Sequence, residues 1–109
     1  MHRDLKLENV MVDVWIRNDG ASEIVCKITD FGLATFLEHN HKTNQRMGTP
    51  RYMAPEIVNG KMYDLKVDSW AFGVLAYVLL SGGKFPFEGR SMHALNSAIR
   101  SARPSYRFL

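Results

Sequence analysis

A chain of 109 residues suffices for one compact domain and falls short of two. Its 46% hydrophobic content is that of a globular protein and excludes a disordered chain, and a net charge of +3, with Lys and Arg scattered singly, excludes the dense basic patch of a nucleic-acid platform. The single cysteine, Cys26, allows no internal disulfide; its apolar neighbours predict a small packed side chain rather than a reactive thiol, in a reducing compartment.

No secretory leader is legible, because His2, Arg3 and Asp4 interrupt the start and no apolar stretch follows them. The longest uncharged run, residues 69–83, is too short and too dotted with Gly and Ser for a membrane span. A cytoplasmic or nuclear protein with no membrane partner is expected.

In chain order, the first informative stretch is Met1-His2-Arg3-Asp4-Leu5-Lys6-Leu7-Glu8-Asn9. Asp4 can accept a proton or orient a hydroxyl, Lys6 can neutralise a phosphate, and Asn9 can offer an amide oxygen to a hard cation such as Mg²⁺. Val10, Val12 and Val14 then alternate with Met11, Asp13 and Trp15, as in a strand. Residues 17–22 carry turn chemistry, and Ile24 to Thr29 is a second β-rich run. The expected hairpin, 10–16 with 24–29, returns the chain to its starting point and sets Asn9 beside Asp30.

Residues 36–50 show no apolar period and read as an irregular exposed segment. His39 and His41 lack the supporting ligands of a metal site and read as solvated. Pro55 opens a short helix over about 55–60 that Gly60 ends. Residues 65–81 are apolar on nearly every side and predict a helix buried in the middle of the protein, with Asp64 as its cap, Asp68 in its first turns and Gly82-Gly83 as its stop. A last helix, from Ser91 to about Ser101, places Met92, Leu95 and Ile99 on one face.

Four motifs stand in order: His2-Arg3-Asp4-Leu5-Lys6-Leu7-Glu8-Asn9, Asp30-Phe31-Gly32-Leu33-Ala34, Gly48-Thr49-Pro50-Arg51-Tyr52-Met53-Ala54-Pro55-Glu56, and Asp68-Ser69-Trp70-Ala71-Phe72-Gly73. Together they resemble the signature of the eukaryotic protein kinases. The resemblance covers residues 1–109, with Tyr106-Arg107-Phe108 similar to the segment after the family's G helix. It implies an α+β fold: the mainly helical large lobe, with a small hairpin, incomplete at both ends. Lys6 two places after Asp4, and Thr49, resemble serine/threonine kinases. Leu79 to Gly83 with Pro86-Phe87 is similar to the calcium/calmodulin-dependent group.

The resemblance also implies roles. Asp4 would take the proton of a substrate hydroxyl, Lys6 would screen the developing charge, and Thr49 would support both. Asn9 and Asp30 would hold Mg²⁺ on the phosphates of ATP, with Lys6 also on the nucleotide side. Phe31 and Gly32 belong to the switchable metal loop. His2 would be a support, and Asp68 would fix the catalytic loop from below. Gly48, Pro50 and Tyr52 would form the platform for a protein substrate, and Glu8 would read a basic residue before the Ser/Thr acceptor. Glu56 would pair with an arginine beyond Leu109.

Arg3 marks a kinase type commonly controlled by a phosphate in the activation loop. Gln45 stands where the phosphorylated Thr often is, and Thr43 is the nearest hydroxyl upstream. The expectation is that Thr43 substitutes, or that no phosphate is needed. Leu7 stands in place of the usual Pro. The small lobe, with its Gly-rich loop, strand lysine and helix glutamate, is absent from the sequence. The isolated chain is therefore expected not to turn over, and the alternative to an enzyme is a truncated, non-catalytic interaction module.

Overall fold

The computed structural model describes residues 1–106; Arg107 and Phe108, the end of the segment likened to the one after the G helix, lie outside the described residues. A short 3₁₀ turn, Leu7–Asn9, leads into strand β1, Val10–Ile16, which pairs antiparallel with β2, Ser22–Ile28. The register sets Val10 opposite Ile28 and Ile16 opposite Ser22. The turn is closed by Arg17 N–H donating to Ala21 O at 2.8 Å and Gly20 N–H to Arg17 O at 2.9 Å. Beyond the ribbon's other end, Thr29 N–H donates to Asn9 O at 2.8 Å, so the chain returns to Asn9 one residue before Asp30.

Residues 36–49 run without helix or strand, apart from a two-way backbone bridge between Thr43 and Tyr63. A 3₁₀ turn at Pro50–Tyr52 and helix α1, Pro55–Val58, follow, each with proline at its start, where no backbone donor is needed. Helix α2 spans Lys66–Leu80. The Asp64 carboxylate accepts from Lys66 N–H at 3.0 Å, supplying the expected cap one residue ahead of the first turn. After Leu80, Gly83 N–H closes on Val78 O at 2.8 Å. Helix α3, Met92–Ser101, is capped by Ser91 Oγ, which accepts from Ala94 N–H at 3.1 Å.

The core lies in two adjoining clusters. One joins Met53, Ile57, Tyr63, Val67 and Phe87 to Leu95 and Ile99 of α3; the other joins Leu5 and Tyr52 to Ala71, Val74, Leu75 and Val78 of α2. Trp70 touches both and stacks on Phe87 with ring centroids 5.5 Å apart. Leu5 is the point that matters for function: it anchors the segment around Asp4 into the face of α2.

Three expectations are corrected. Helix α2 is not buried all round: Val67, Ala71, Val74, Leu75 and Val78 form one covered stripe, while Phe72 and Leu80 are 60% and 82% exposed on the other sides. The ribbon stands alone, both faces open, so Cys26 is exposed rather than packed. Its apolar sequence neighbours do not cover it, because strand neighbours point to opposite faces. Met92 is also exposed, since it sits in the first turn of α3, ahead of the covered positions Leu95 and Ile99. The chain is accordingly extended, with a radius of gyration of 16.2 Å against about 13 Å for a compact domain of similar length.

Candidate active site

The loop at residues 2–6 is held from below by one side chain. Asp68, in the first turn of α2, accepts from His2 N–H at 2.7 Å and from Arg3 N–H at 2.9 Å, one carboxylate oxygen each. Two amides that the left-handed Arg3 backbone (φ 70°) leaves without a ladder partner are satisfied in this way. Each bond to a charged acceptor is worth about 1.5–3 kcal/mol. Asp68→Ala is therefore expected to lower the denaturant midpoint more than Asp68→Asn, which keeps one acceptor oxygen; equal midpoints for the two variants and the parent would contradict the role.

His2 braces the loop from the side. Its Nδ1 accepts from Asp4 N–H at 3.2 Å, and its Nε2 lies 2.9 Å from the Thr29 carbonyl oxygen. A backbone N–H at one nitrogen and a carbonyl at the other fix the neutral tautomer with the proton on Nε2. The edge of its ring meets Phe31 at 5.1 Å.

Asp4 projects into a polar cluster and is 14% exposed at the side chain. Thr49 Oγ1 donates to its Oδ1 at 2.6 Å, Lys6 Nζ lies 3.3 Å from Oδ2, and Lys6 Nζ also donates to Thr49 Oγ1 at 2.9 Å. A carboxylate, an ammonium and a hydroxyl thus form a closed triangle that joins residues more than forty positions apart in the chain. Gly48 makes the approach possible. Its φ is +110°, and a Cβ there would come 2.5 Å from the carbonyl oxygen of Arg3.

Asn9 is buried and spends the donor end of its amide on Asp4, at 2.8 Å to the backbone oxygen and 3.4 Å to Oδ2. The acceptor end branches the other way. Asp30 sits across the ribbon base at φ 59°, with Oδ1 accepting from Gly32 N–H at 3.2 Å. Among the described residues no three His, Cys, Asp or Glu side chains gather around a common point. An amide oxygen and one carboxylate are nonetheless a donor set suited to Mg²⁺, which takes its other ligands from phosphate and water.

The remaining expected residues are dispersed. Glu8 is exposed beside this cluster, and Gly48 and Pro50 are half-buried. Tyr52, expected on the substrate platform, turns its side chain into the core, with its ring edge against Phe85 at 5.5 Å. Burial pushes its phenol above the ordinary tyrosine value, opposed by a backbone hydrogen bond at Leu7. Phe31 is exposed. Glu56 has no ion-pair partner among the described residues. His41 pairs with Glu38 at 3.3 Å, which accounts for one loop histidine without a metal.

Sequence reasoning noted Gln45 only as standing in the place of a phosphorylated Thr, and passed over Tyr63. Gln45 Oε1 accepts from Arg3 Nη1 at 3.0 Å, and the Tyr63 hydroxyl donates to the Gln45 carbonyl oxygen. Neither residue type carries a sequence signal for such a contact.

The pattern that defines the Protein kinase domain matches residues 1–107. A serine/threonine-protein kinase of Arabidopsis thaliana, AtPK2/AtPK19, is 49% identical over 89 residues, 82% of this chain and 17% of the relative. Calcium-dependent protein kinase 4 of Plasmodium berghei is 36% identical over 106 residues, 97% of this chain and 19% of the relative. Serine/threonine-protein kinase plk-1 of Caenorhabditis elegans is 41% identical over 100 residues, 92% and 14%. The chain thus spans less than a fifth of the length of these curated relatives. No helix among the described residues is long and apolar enough to cross a membrane. Sequence pattern and relatives agree that this chain belongs to the protein kinase family, as part of a serine/threonine kinase catalytic domain.

Proposed function

We propose that residues 1–109 form the catalytic-loop part of the large lobe of a serine/threonine protein kinase, and that the polypeptide carrying them transfers phosphate from ATP to Ser or Thr hydroxyls of protein substrates. The observation that carries the reading is the Asp4–Lys6–Thr49 triangle at 2.6–3.3 Å. Phosphoryl transfer asks little covalent work of the protein and much positioning and charge neutralisation.

Asp4, held as a carboxylate acceptor by Thr49 and Lys6, orients the incoming hydroxyl and takes its proton. Lys6 keeps its ammonium where negative charge builds up on the transferring group. Asn9 and Asp30 hold Mg²⁺. When bound, MgATP supplies the phosphoryl group and the cation that offsets the charge of its oxygens. Asp68 and His2 position the loop, and Phe31 with Gly32 sets the orientation of Asp30. Gly48 and Pro50 shape the strip that receives the residue after the acceptor, with Tyr52 supporting it from the core. Glu8, exposed and anionic, fits a basic residue on the substrate. Glu56 awaits a cationic partner, and Thr43 is the nearest hydroxyl in the loop that a phosphate could occupy. Similarity to the calcium/calmodulin-dependent group rests on Leu79 to Gly83 with Pro86-Phe87, and the 36% identity to a calcium-dependent kinase supports it.

A second reading, a non-catalytic interaction module, is favoured by the uncovered apolar sides of α2 and of the ribbon, since such surface marks association. One experiment separates the two. Labelled ATP and a basic serine peptide are given both to the isolated 109-residue chain and to the longest polypeptide that encodes it. Transfer by the long form with little by the short supports the kinase; a folded long form that binds Mg²⁺ and nucleotide yet transfers nothing supports the module.

A further inference from the structure

The segment before Gly48 is fixed at one residue from three sides. The Gln45 side-chain oxygen accepts from Arg3 Nη1 at 3.0 Å, its backbone oxygen accepts from the Tyr63 hydroxyl, and its backbone N–H donates to Thr43 Oγ1 at 3.3 Å. Thr43 is itself tied to Tyr63 by a pair of backbone bonds at 3.0 and 2.8 Å. The Arg3 guanidinium is fixed in turn, because its Nε donates to Leu33 O at 2.6 Å. Arg3 is also the residue whose backbone Asp68 grips and whose carbonyl Gly48 touches. One guanidinium therefore joins the catalytic loop, the segment after Asp30 and the segment before Gly48. Among the described residues it has no carboxylate within ion-pair distance.

We propose that Gln45 is a positioning residue that holds residues 43–47 on Arg3 with its neutral amide oxygen, so that this segment is ordered without a phosphate. An amide oxygen accepts one bond from a guanidinium where a phosphate would accept two with full charge, so the hold is weaker but permanent. Thr43 does not compete for Arg3: its hydroxyl oxygen faces the Gln45 amide and its backbone is committed to Tyr63.

The exposed neighbours Lys42 and Arg46 make the segment readable by trypsin. Cleavage of a folded protein tracks the population in which the cut segment has opened. In the longest polypeptide that contains this chain, Gln45→Ala is expected to raise initial cleavage after Lys42 and Arg46 by about threefold to tenfold, the range for loss of one hydrogen bond of ordinary net strength. Gln45→Glu should restore protection or improve on it. Gln45→Leu, which fills similar space without an acceptor, should behave like Ala. Unchanged thermal midpoints show that the three variants are folded. Phosphatase treatment of the wild type should leave its cleavage rate unchanged.

The proposal is overturned if Ala and wild type are cut equally, if Leu protects as well as Glu, or if phosphatase opens the wild-type segment. The inference leans on the kinase reading only in a second arm: in phosphotransfer assays, Gln45→Ala should lower kcat by more than it raises KM for ATP, with rescue by Glu. Absence of transfer from every form, with the cleavage differences intact, would sink the kinase reading and leave the Gln45 hold standing.

Discussion

Replacing Asp4 by Asn in the polypeptide that carries this chain is expected to lower phosphotransfer to a serine peptide by about a hundred- to ten-thousandfold, the range attributed to a positioned general base. The geometry makes the loss specific. Thr49 donates to Oδ1 at 2.6 Å, and Oδ2 has Lys6 Nζ at 3.3 Å and Asn9 Nδ2 at 3.4 Å. Every group around the carboxylate is a donor. An asparagine loses the charge, and its NH₂ either meets the donors of Lys6 and Asn9 or forces the Thr49 hydroxyl to give up donating and accept. The shape of the side chain is kept, and Leu5 still anchors the loop on α2, so the fold should be nearly unaffected. The check is the initial rate at saturating ATP, together with a melting curve. A rate within a few-fold of the parent would remove Asp4 from the chemistry.

Gly48→Ala should be the most damaging small substitution near the site. At φ +110° any side chain is strained, which costs about 1–3 kcal/mol on its own. The added Cβ would also stand 2.5 Å from the Arg3 carbonyl oxygen, a backbone atom that cannot swing aside. Relief comes only by lifting residues 48–49, and that draws Thr49 away from Asp4 and Lys6. A displacement of this kind costs on the order of a hundredfold in rate even without removal of a catalytic group. Gly20→Ala is the control, since Gly20 has φ +81° but open space around its Cβ. It should show the backbone penalty alone, as a modest fall in the unfolding midpoint with activity kept. Equal effects at the two positions would mean that the contact with Arg3 is not what makes Gly48 necessary.

Much of the local structure was legible because its causes are local. The hairpin followed from alternation and turn residues, and its second strand differs from expectation in running from Ser22 to Ile28 rather than from Ile24 to Thr29. The helices followed from Pro55 at the start of the first, from Asp64 as the cap and Gly82-Gly83 as the stop of the second, and from the spacing of Leu95 and Ile99 in the last. Burial was read less well, because it depends on what stands opposite. The sequence of α2 is apolar on several sides, yet only the stripe Val67, Ala71, Val74, Leu75 and Val78 meets a partner. Cys26 lies in an apolar run, but a two-stranded ribbon has nothing to pack its faces against. In the site, Asp4, Lys6 and Asn9 stood out by their chemistry and Asp30 by the hairpin, but their roles, and those of Thr49 and Asp68, came through a resemblance. Chain order alone cannot bring residue 4 to residue 49 or residue 3 to residue 68. The resemblance set position 45 opposite Arg3 as a place for a phosphate, but not a direct Gln45–Arg3 contact, because a glutamine in an irregular segment has no period, charge or pairing rule to expose one.

The imidazole of His2 has a further consequence. With one nitrogen filled by an incoming amide hydrogen and the other spent on a carbonyl, the ring has no lone pair and no proton left to lend to a passing reactant. It works as a rigid strut whose two ends differ in polarity. A tolerated replacement must therefore be flat, with an acceptor on one edge and a donor on the far edge, whereas a cationic or purely apolar ring of the same size would leave one end of the strut facing the wrong partner.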